Sequence, residues 1–276
     1  MRLKLTKSQI ATYQTSGCIC IRDAFSEHWI DTLREGVERN LKNPSKNFRD
    51  FSPDGSPGGF ISDMWAWPDI PEYINFVKNS CVGELGARLN LKSSTVFMED
   101  NFFIKQPLTA LPTPWHQDLP YYEVEGDMWS VWIPLDSHVK IDCLELIAGS
   151  HLWGKKYLPL DFKVADVGPA ELESDNEQLL PVGYERLPDF DDPTKSYSII
   201  SWDMNPGDCI VFDARTIHGN RSTKQNQGGS RISFRFVDEN TIFAPDKYPW
   251  SDIGIEHKLK AGEPFSGELF PMVWRQ

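Results

Sequence analysis

The chain lacks the long apolar segments that membrane insertion or secretion requires. It has no apolar run of the roughly 18 residues that a membrane-spanning helix needs. Its first residues, Met1 to Thr6, do not form the apolar stretch of a secretory signal peptide. Internal repeats and low-complexity tracts are also absent. These absences predict a cytoplasmic protein with no membrane partner.

Cysteine is scarce and its pattern is uninformative for metal binding. There are five cysteines, an odd number, and none forms a Cys-x-x-Cys pair. This excludes a complete disulfide framework and the common zinc motifs, and it predicts free thiols in a reducing compartment. Cys18 and Cys20 share one face of a probable strand, so we expect them to be packing residues.

Positive charge is also in short supply. The chain has 28 Lys and Arg residues against 40 Asp and Glu residues, which gives a formal net charge of −12. Nucleic-acid binding needs a basic surface, so no nucleic-acid partner is expected. The same deficit argues against a polyphosphate-bearing substrate such as an acyl-CoA and favours a neutral or cationic small molecule. None of these features determines the oligomeric state.

The residues that are present predict one domain of mainly β structure. An apolar content of 40% can build a large core, and all-β barrels of 276 residues are common as single units. The predicted elements are a helix over 6–16 capped by Thr6, a strand over 17–22, a helix over about 27–41 with Ile30, Leu33, Val37 and Leu41 on one stripe, a mobile loop over 43–64, a helix from Pro71 to Leu89, and short strands from 94 onward. Helices followed by many strands are typical of a double-stranded β-helix, or jelly roll. We therefore expect a helical part over about 1–92, a jelly-roll core over about 93–240 and a C-terminal tail over 241–276.

The most informative motif is His116-Gln117-Asp118, taken together with the distant His218. Two imidazoles and one carboxylate form the facial triad that holds Fe(II) and leaves the opposite face of the ion open. If residues 116–118 form a strand, His116 and Asp118 share a face while Gln117 points away. A lone His-x-Asp motif is weak, because such residues often lie in surface loops.

The surroundings of His218 strengthen this interpretation. Pro206-Gly207-Asp208 and the apolar run 209–213 predict a turn that leads into a buried strand. After His218, residues 231–237 alternate, with Arg231, Ser233 and Arg235 on one face. A buried arginine needs an anion, and the carboxylate of a 2-oxo acid would supply it through bidentate hydrogen bonds.

With these motifs in place, the chain resembles the phytanoyl-CoA dioxygenase family of Fe(II)/2-oxoglutarate-dependent oxygenases. The matching stretches are 5–10, 17–21, 105–107, 115–122, 130–136, 144–146, 149–151, 218–220 and 231–237. The resemblance implies that His116, Asp118 and His218 bind Fe(II). It also implies that Arg231 and Ser233 bind 2-oxoglutarate, with Arg235 as the alternative arginine.

The resemblance assigns further positions singly. Lys105 is similar to a family lysine that assists cosubstrate binding, although a solvated edge lysine explains it equally well. Trp132 would form a wall of the cosubstrate pocket, or it is simply a core aromatic residue. His151 is expected to be structural and not a metal ligand, and His138 is expected on the surface.

The implied activity is that of a dioxygenase that hydroxylates a small molecule with O2 and releases succinate and CO2, with ascorbate as a reductant in vitro. Desaturation, epoxidation and ring formation use the same kind of site, so the sequence does not separate them. Halogenases of similar fold have a small residue in place of the carboxylate ligand, and Asp118 argues against that class. The alternative function is a non-catalytic, cupin-like protein that binds a metal or a small ligand.

A long acidic segment separates the two halves of this site in the sequence. Residues 161–196 contain ten acidic side chains and three basic ones. Long insertions beside active sites often cover them and carry specificity. We therefore expect 161–196 and the loop 43–64 to close over the metal, the alternative being a solvated acidic loop without a catalytic role.

Overall fold

A computed structural model of the protein describes residues 4–52, 55, 58–107, 109, 112–159, 182–190, 192, 194–221, 228–245 and 253–276. Within these residues, no helix is long and apolar enough to cross a membrane. Most of the acidic segment 161–196 lies outside the described residues, so the expectation that it covers the site stays a prediction. All five cysteines are described and are free thiols, as predicted.

Four helices precede most of the strands: α1 Lys7–Ser16, α2 Glu27–Lys42, α3 Pro71–Asn79 and α4 Val82–Leu89. The predicted cap of α1 is confirmed, because the Thr6 hydroxyl accepts from the Gln9 backbone N–H while the Gln9 side chain accepts from that of Thr6. The stripe of α2 is buried at three of its four positions, and Leu41 is exposed. The single helix predicted from Pro71 to Leu89 is wrong, because Ser80 adopts an extended backbone and ends α3.

Eight strands form one antiparallel sheet in the order β1-β12-β7-β14-β4-β3-β2, with β16 also paired to β4. Their bounds are β1 Cys18–Ile21, β2 Arg49–Asp50, β3 Phe60–Met64, β4 Ser94–Lys105, β7 Met128–Pro134, β12 Cys209–Asp213, β14 Gly229–Val237 and β16 Met272–Arg275. The loop predicted over 43–64 is therefore only partly right, because β3 pairs with β4 along its length. The C-terminal tail also contributes a strand, so the sheet extends beyond the predicted core of 93–240.

A second antiparallel sheet has the order β11-β8-β13-β5. Its strands are β5 Thr113–His116, β8 Glu145–Ile147, β11 Ile199–Ile200 and β13 His218–Asn220. Two short pairs complete the fold: β6 Val124–Glu125 with β15 Ile242–Phe243, and β9 Lys156–Tyr157 with β10 Tyr184–Glu185. Along the chain, β4, β7, β12 and β14 of the large sheet alternate with β5, β8 and β13 of the small one. This alternation is the predicted double-stranded β-helix.

The two faces of β14 have different partners, and this difference positions the site. Its apolar residues Ile232, Phe234 and Phe236 point to the helical side, where Phe234 stacks on Phe76 of α3 at 5.1 Å between ring centroids. Because side chains alternate along a strand, Arg231, Ser233 and Arg235 point to the opposite face. The helices thus complete the core on one side, and the polar face of β14 is left for the functional site.

The packing of α4 on β7 gives a first testable prediction. A Cβ atom at Gly86 would lie 2.0 Å from Nε1 of the fully buried Trp129. We expect Gly86→Ala to lower the free energy of unfolding, because overpacking of about 1–3 kcal/mol outweighs the gain in helix propensity of about 1 kcal/mol. Urea unfolding measures the change, with Lys78→Ala on the exposed side of α3 as the control. A Gly86→Ala protein more stable than wild type would contradict this packing.

Candidate metal centre

Three residues from two separate parts of the chain converge in the interior. The register of the small sheet pairs His218 of β13 with His116 of β5, and their ring centroids lie 4.1 Å apart. Asp118 follows two residues after His116, and its Oδ1 lies 3.6 Å from Nε2 of each histidine. All three residues are buried, and their ligand atoms lie within 4.8 Å of one another. Strand pairing therefore brings the two histidines of the predicted triad together, and Asp118 lies beside them.

The backbone sets the orientation of both imidazoles. Nδ1 of His116 lies 2.8 Å from the carbonyl oxygen of Pro114, and Nδ1 of His218 lies 2.9 Å from that of Thr216. Because a carbonyl oxygen can only accept, Nδ1 carries the hydrogen in each ring, and Nε2 is the atom directed toward Asp118. Burial, together with His116, lowers the pKa of His218 to about 3. His218 is therefore neutral at neutral pH, which is the form that binds metals.

Asp118 reaches the site in a different way from the one predicted. Strand β5 ends at His116, and Asp118 has a helical backbone at the start of a short 3-10 helix, Leu119–Tyr121. Gln117 is not solvent-directed, because its amide donates to the carbonyls of Lys155 and Arg215 and accepts from the Tyr157 backbone N–H. His116 and Asp118 do share the site while Gln117 points elsewhere, but the strand predicted for residues 116–118 ends at His116, and the buried Gln117 anchors the turn that places Asp118.

The chemistry of the donor set fits a divalent transition metal. Two imidazole nitrogens and one carboxylate oxygen lie within 4.8 Å of one another, and this is the donor set of a facial triad. Although burial raises the pKa of Asp118, Arg235 and the nearby histidines hold it well below its ordinary value, so the carboxylate is ionised. His151 lies outside this group, half-buried, with Nε2 3.3 Å from the Gln14 carbonyl oxygen, as expected for a structural residue.

Arg235 donates hydrogen bonds to Asp118 of the triad. Its Nε lies 3.0 Å from Oδ2 of Asp118 and its Nη2 lies 3.1 Å from Oδ1, while Nη1 lies 2.8 Å from Oε1 of Glu99. The Ser130 hydroxyl donates to Oδ2 of Asp118 at 2.8 Å. Glu99, Ser130 and this function of Arg235 were not predicted from the sequence. A glutamate that follows the apolar run Val96–Met98 was the signal that could have revealed the network.

Arg231 has no such partner among the described residues. It is buried, and its Nη1 makes no hydrogen bond to that part of the chain. Burial lowers the pKa of Arg231 to about 10, so the side chain is still a cation at neutral pH. A buried guanidinium nitrogen without a partner indicates a place for an anion. The two arginines therefore differ in the structure, because Arg235 is bound by two carboxyl groups and Arg231 has a guanidinium nitrogen without a partner among the described residues.

Lys105 lies beside Arg231 on the same face of the sheet. It pairs in register with Gly229, two residues before Arg231, and it is fully buried with Nζ 4.8 Å from the centroid of the Phe60 ring. The alternative of a solvated edge lysine is wrong, because β3 covers this edge of β4. Burial and the nearby charge of Arg231 lower the pKa of Lys105 well below its ordinary value.

The remaining predicted positions line the same face. Ser233 is buried and pairs in register with Trp132 of β7, which is also buried.

The prediction that His138 is a surface residue is wrong. Its ring is buried 6.1 Å from that of Trp132, it would lie 2.4 Å from a Cβ at position 229, and its Nε2 makes no hydrogen bond. His138 is buried because its backbone forms an isolated β-bridge with Met204. The local sequence around His138 does not predict this long-range pairing.

The described end of the acidic segment packs away from the triad. The ring of Phe190 contacts Trp115 at 5.3 Å and Tyr197 at 4.8 Å between centroids. Trp115 precedes His116 in β5, so it points to the opposite face of the small sheet. Residues 182–190 are thus attached to the outer side of that sheet.

A family model described as phytanoyl-CoA dioxygenase matches residues 13–231 of the chain. No curated protein sequence matches it.

Several solved structures are similar along nearly the whole chain. SnoK, a non-heme alpha ketoglutarate dependent carbocyclase from nogalamycin biosynthesis, has a TM-score of 0.71 at 20% identity, covering 98% of this chain and 96% of SnoK. The epimerase SnoN from the same biosynthesis has a TM-score of 0.71 at 18% identity, with the same coverage. EctD from S. alaskensis, solved with 2-oxoglutarate and 5-hydroxyectoine, has a TM-score of 0.63 at 16% identity, covering 94% of this chain and 85% of EctD. At these identities the likeness establishes the fold.

Proposed function

Because the chain belongs to the phytanoyl-CoA dioxygenase family, we propose that it is an Fe(II)- and 2-oxoglutarate-dependent oxygenase that acts on a small molecule. The family identified from the sequence motifs is thereby confirmed. The observation that carries the proposal is the buried convergence of His116, Asp118 and His218 near Arg231, whose Nη1 has no hydrogen-bond partner among the described residues. A metal site next to an anion site matches the needs of a chelating 2-oxo acid.

In this proposal, Nε2 of His116, Nε2 of His218 and Oδ1 of Asp118 hold the iron. Bound there, iron would supply the oxygen-activating redox chemistry, with O2 consumed and succinate and CO2 released. The protein's own contribution is orientation and exclusion of water. The carbonyls of Pro114 and Thr216 fix the two rings, and Phe212 covers His218 with ring centroids 4.5 Å apart.

The cosubstrate site is proposed on the polar face of β14. Arg231 would bind the distal carboxylate of 2-oxoglutarate, since its Nη1 has no partner within the described protein. Lys105, another buried basic side chain, pairs in register with Gly229, two residues before Arg231, and would donate a hydrogen bond to the same anion. The Ser233 hydroxyl would donate to the carboxylate, and the Trp132 ring would form the wall of the pocket.

Hydroxylation of a neutral or cationic small molecule is the proposed reaction. The net charge of −12 disfavours an acyl-CoA, whose phosphates would be repelled. SnoK and SnoN are described as a carbocyclase and an epimerase, so this fold accommodates several outcomes, and the hydroxylase assignment is the finer part of the proposal. We also propose a cytoplasmic location, which the five free thiols support.

Turnover of 2-oxoglutarate tests the proposal. Purified protein with Fe(II), ascorbate and O2 should convert 2-oxoglutarate to succinate slowly without a substrate and faster with one. A panel of neutral, cationic and acyl-CoA compounds should be screened by mass spectrometry for the gain of one oxygen atom. Succinate formation no greater than that of an Asp118→Ala control would favour the non-catalytic, cupin-like alternative, and efficient oxidation of an acyl-CoA would contradict the charge preference.

A further inference from the structure

We infer that Arg235 and Ser130 hold Asp118 so that only one carboxylate oxygen is presented to the metal, and that Glu99 and Tyr122 hold Arg235 in the position this requires. The inference deepens the proposed function and rests on it. It makes Arg235, Ser130 and Glu99 positioning residues for the metal site, and it removes Arg235 from the cosubstrate pocket.

The hydrogen bonds of the Asp118 carboxylate leave room for one metal bond. An ionised carboxylate has about four lone-pair positions. Oδ2 uses two, because it accepts from Ser130 Oγ at 2.8 Å and from Arg235 Nε at 3.0 Å. Oδ1 uses one for Arg235 Nη2 at 3.1 Å. The remaining position on Oδ1 is on the atom that lies 3.6 Å from both histidine nitrogens.

Asp118 is the ligand that needs such support. His116 and His218 belong to paired strands of the small sheet, and their rings are fixed by backbone carbonyls. Asp118 lies beyond the end of β5, in a turn. Its side chain reaches across to the large sheet, where Arg235 of β14 and Ser130 of β7 are direct register partners. Arg235 and Ser130 form a clamp on Asp118. This clamp ties the one ligand outside a strand to the larger sheet.

Arg235 is itself fixed from the other side. Glu99 of β4 pairs in register with Arg235, and its Oε1 accepts from Arg235 Nη1 at 2.8 Å and from the Tyr122 hydroxyl. The Tyr122 ring also lies under the guanidinium, with Cζ 5.6 Å from its centroid. Glu99, Arg235 and Ser130 thus stand side by side on three neighbouring strands. A buried arginine held between two carboxylates cannot turn toward a third anion without breaking one ion pair.

Metal affinity is the direct test, because a merely structural network would affect folding and leave the dissociation constant for the metal unchanged. Calorimetric titration with Mn(II), a redox-stable probe, should show Ser130→Ala binding about 10- to 100-fold more weakly than wild type, as is typical when a residue that orients a metal ligand is lost. Its melting temperature without metal should match that of Ser62→Ala. Ser62 is a matched control, because it is also buried in the large sheet and donates to an uncharged amide, that of Asn101.

Arg235 is tested with its counter-ion removed at the same time. Arg235→Gln alone would leave Glu99 buried without its cation, so the double variant Arg235→Gln with Glu99→Gln is compared with Glu99→Gln alone. The double variant should bind Mn(II) at least about 10-fold more weakly than Glu99→Gln. If the double variant does not fold, Ser130→Ala decides the question.

The outcomes separate this inference from the proposed function. Wild-type Mn(II) affinity in folded Ser130→Ala and in the folded double variant, with no binding by Asp118→Ala, would overturn the clamp and leave the metal site intact. Undiminished Mn(II) binding by Asp118→Ala would overturn the metal site itself. Weaker binding in Ser130→Ala with normal binding in Ser62→Ala supports the clamp.

Discussion

Alanine in place of His116, Asp118 or His218 is expected to abolish the visible charge-transfer band that the wild-type protein should develop with Fe(II) and 2-oxoglutarate without oxygen. Three protein ligands are the minimum for a firm site of this type, and the band requires metal and 2-oxo acid bound together. Succinate formation should be lost with it. Anaerobic absorption spectroscopy measures the band, and circular dichroism checks that each variant is folded.

His151→Ala is the matched control for these variants. This histidine is half-buried and lies near the Gln14 carbonyl, away from the triad, so its replacement should leave the band unchanged. A full-strength band in Asp118→Ala would remove Asp118 from the site. A band lost in His151→Ala, with the protein still folded, would show that the triad is incomplete as assigned.

Arg231→Ala should raise the 2-oxoglutarate requirement strongly while leaving metal affinity nearly intact. Removing one partner of a buried charged hydrogen bond costs about 2–5 kcal/mol, which corresponds to a roughly thirty- to several-thousand-fold loss of affinity. The measurement is the concentration of 2-oxoglutarate that gives half of the charge-transfer band at saturating Fe(II). Calorimetry with Mn(II) in the absence of 2-oxoglutarate checks the metal site separately.

Two further arginine variants make this result specific. Arg221→Ala removes an exposed arginine that follows β13 and pairs with Glu145 of β8, and it should leave the 2-oxoglutarate requirement unchanged. Variants of Arg235 should weaken metal binding first, because that guanidinium is occupied by Asp118 and Glu99. If an Arg235 variant changed only the 2-oxoglutarate requirement while Arg231→Ala behaved as wild type, the assignment of the two arginines would be wrong.

Local patterns predicted much of this molecule because they report on short-range geometry. The cap of α1 was predictable because Thr6 and Gln9 contact each other within one helical turn. The polar and apolar faces of β14 were predictable because alternation is a property of any strand. The break between α3 and α4 was not predictable, since it depends on the extended backbone conformation of Ser80 at the end of α3. The turn at Asp118 was missed because its anchor, Gln117, bonds to residues that are distant in sequence.

The sequence by itself determined the chemistry available: two histidines and an aspartate for a metal, and arginines on one strand face for an anion. Only the tertiary structure decided which arginine does what. Arg235 stands opposite Glu99 and Ser130 because β14 lies between β4 and β7 in one particular register, and that places it on Asp118. Four residues earlier in β14, Arg231 pairs with no carboxylate of the described residues, and its Nη1 has no hydrogen-bond partner among them. A register between strands far apart in the chain depends on the packing of the whole sheet, so a single strand's sequence does not specify it.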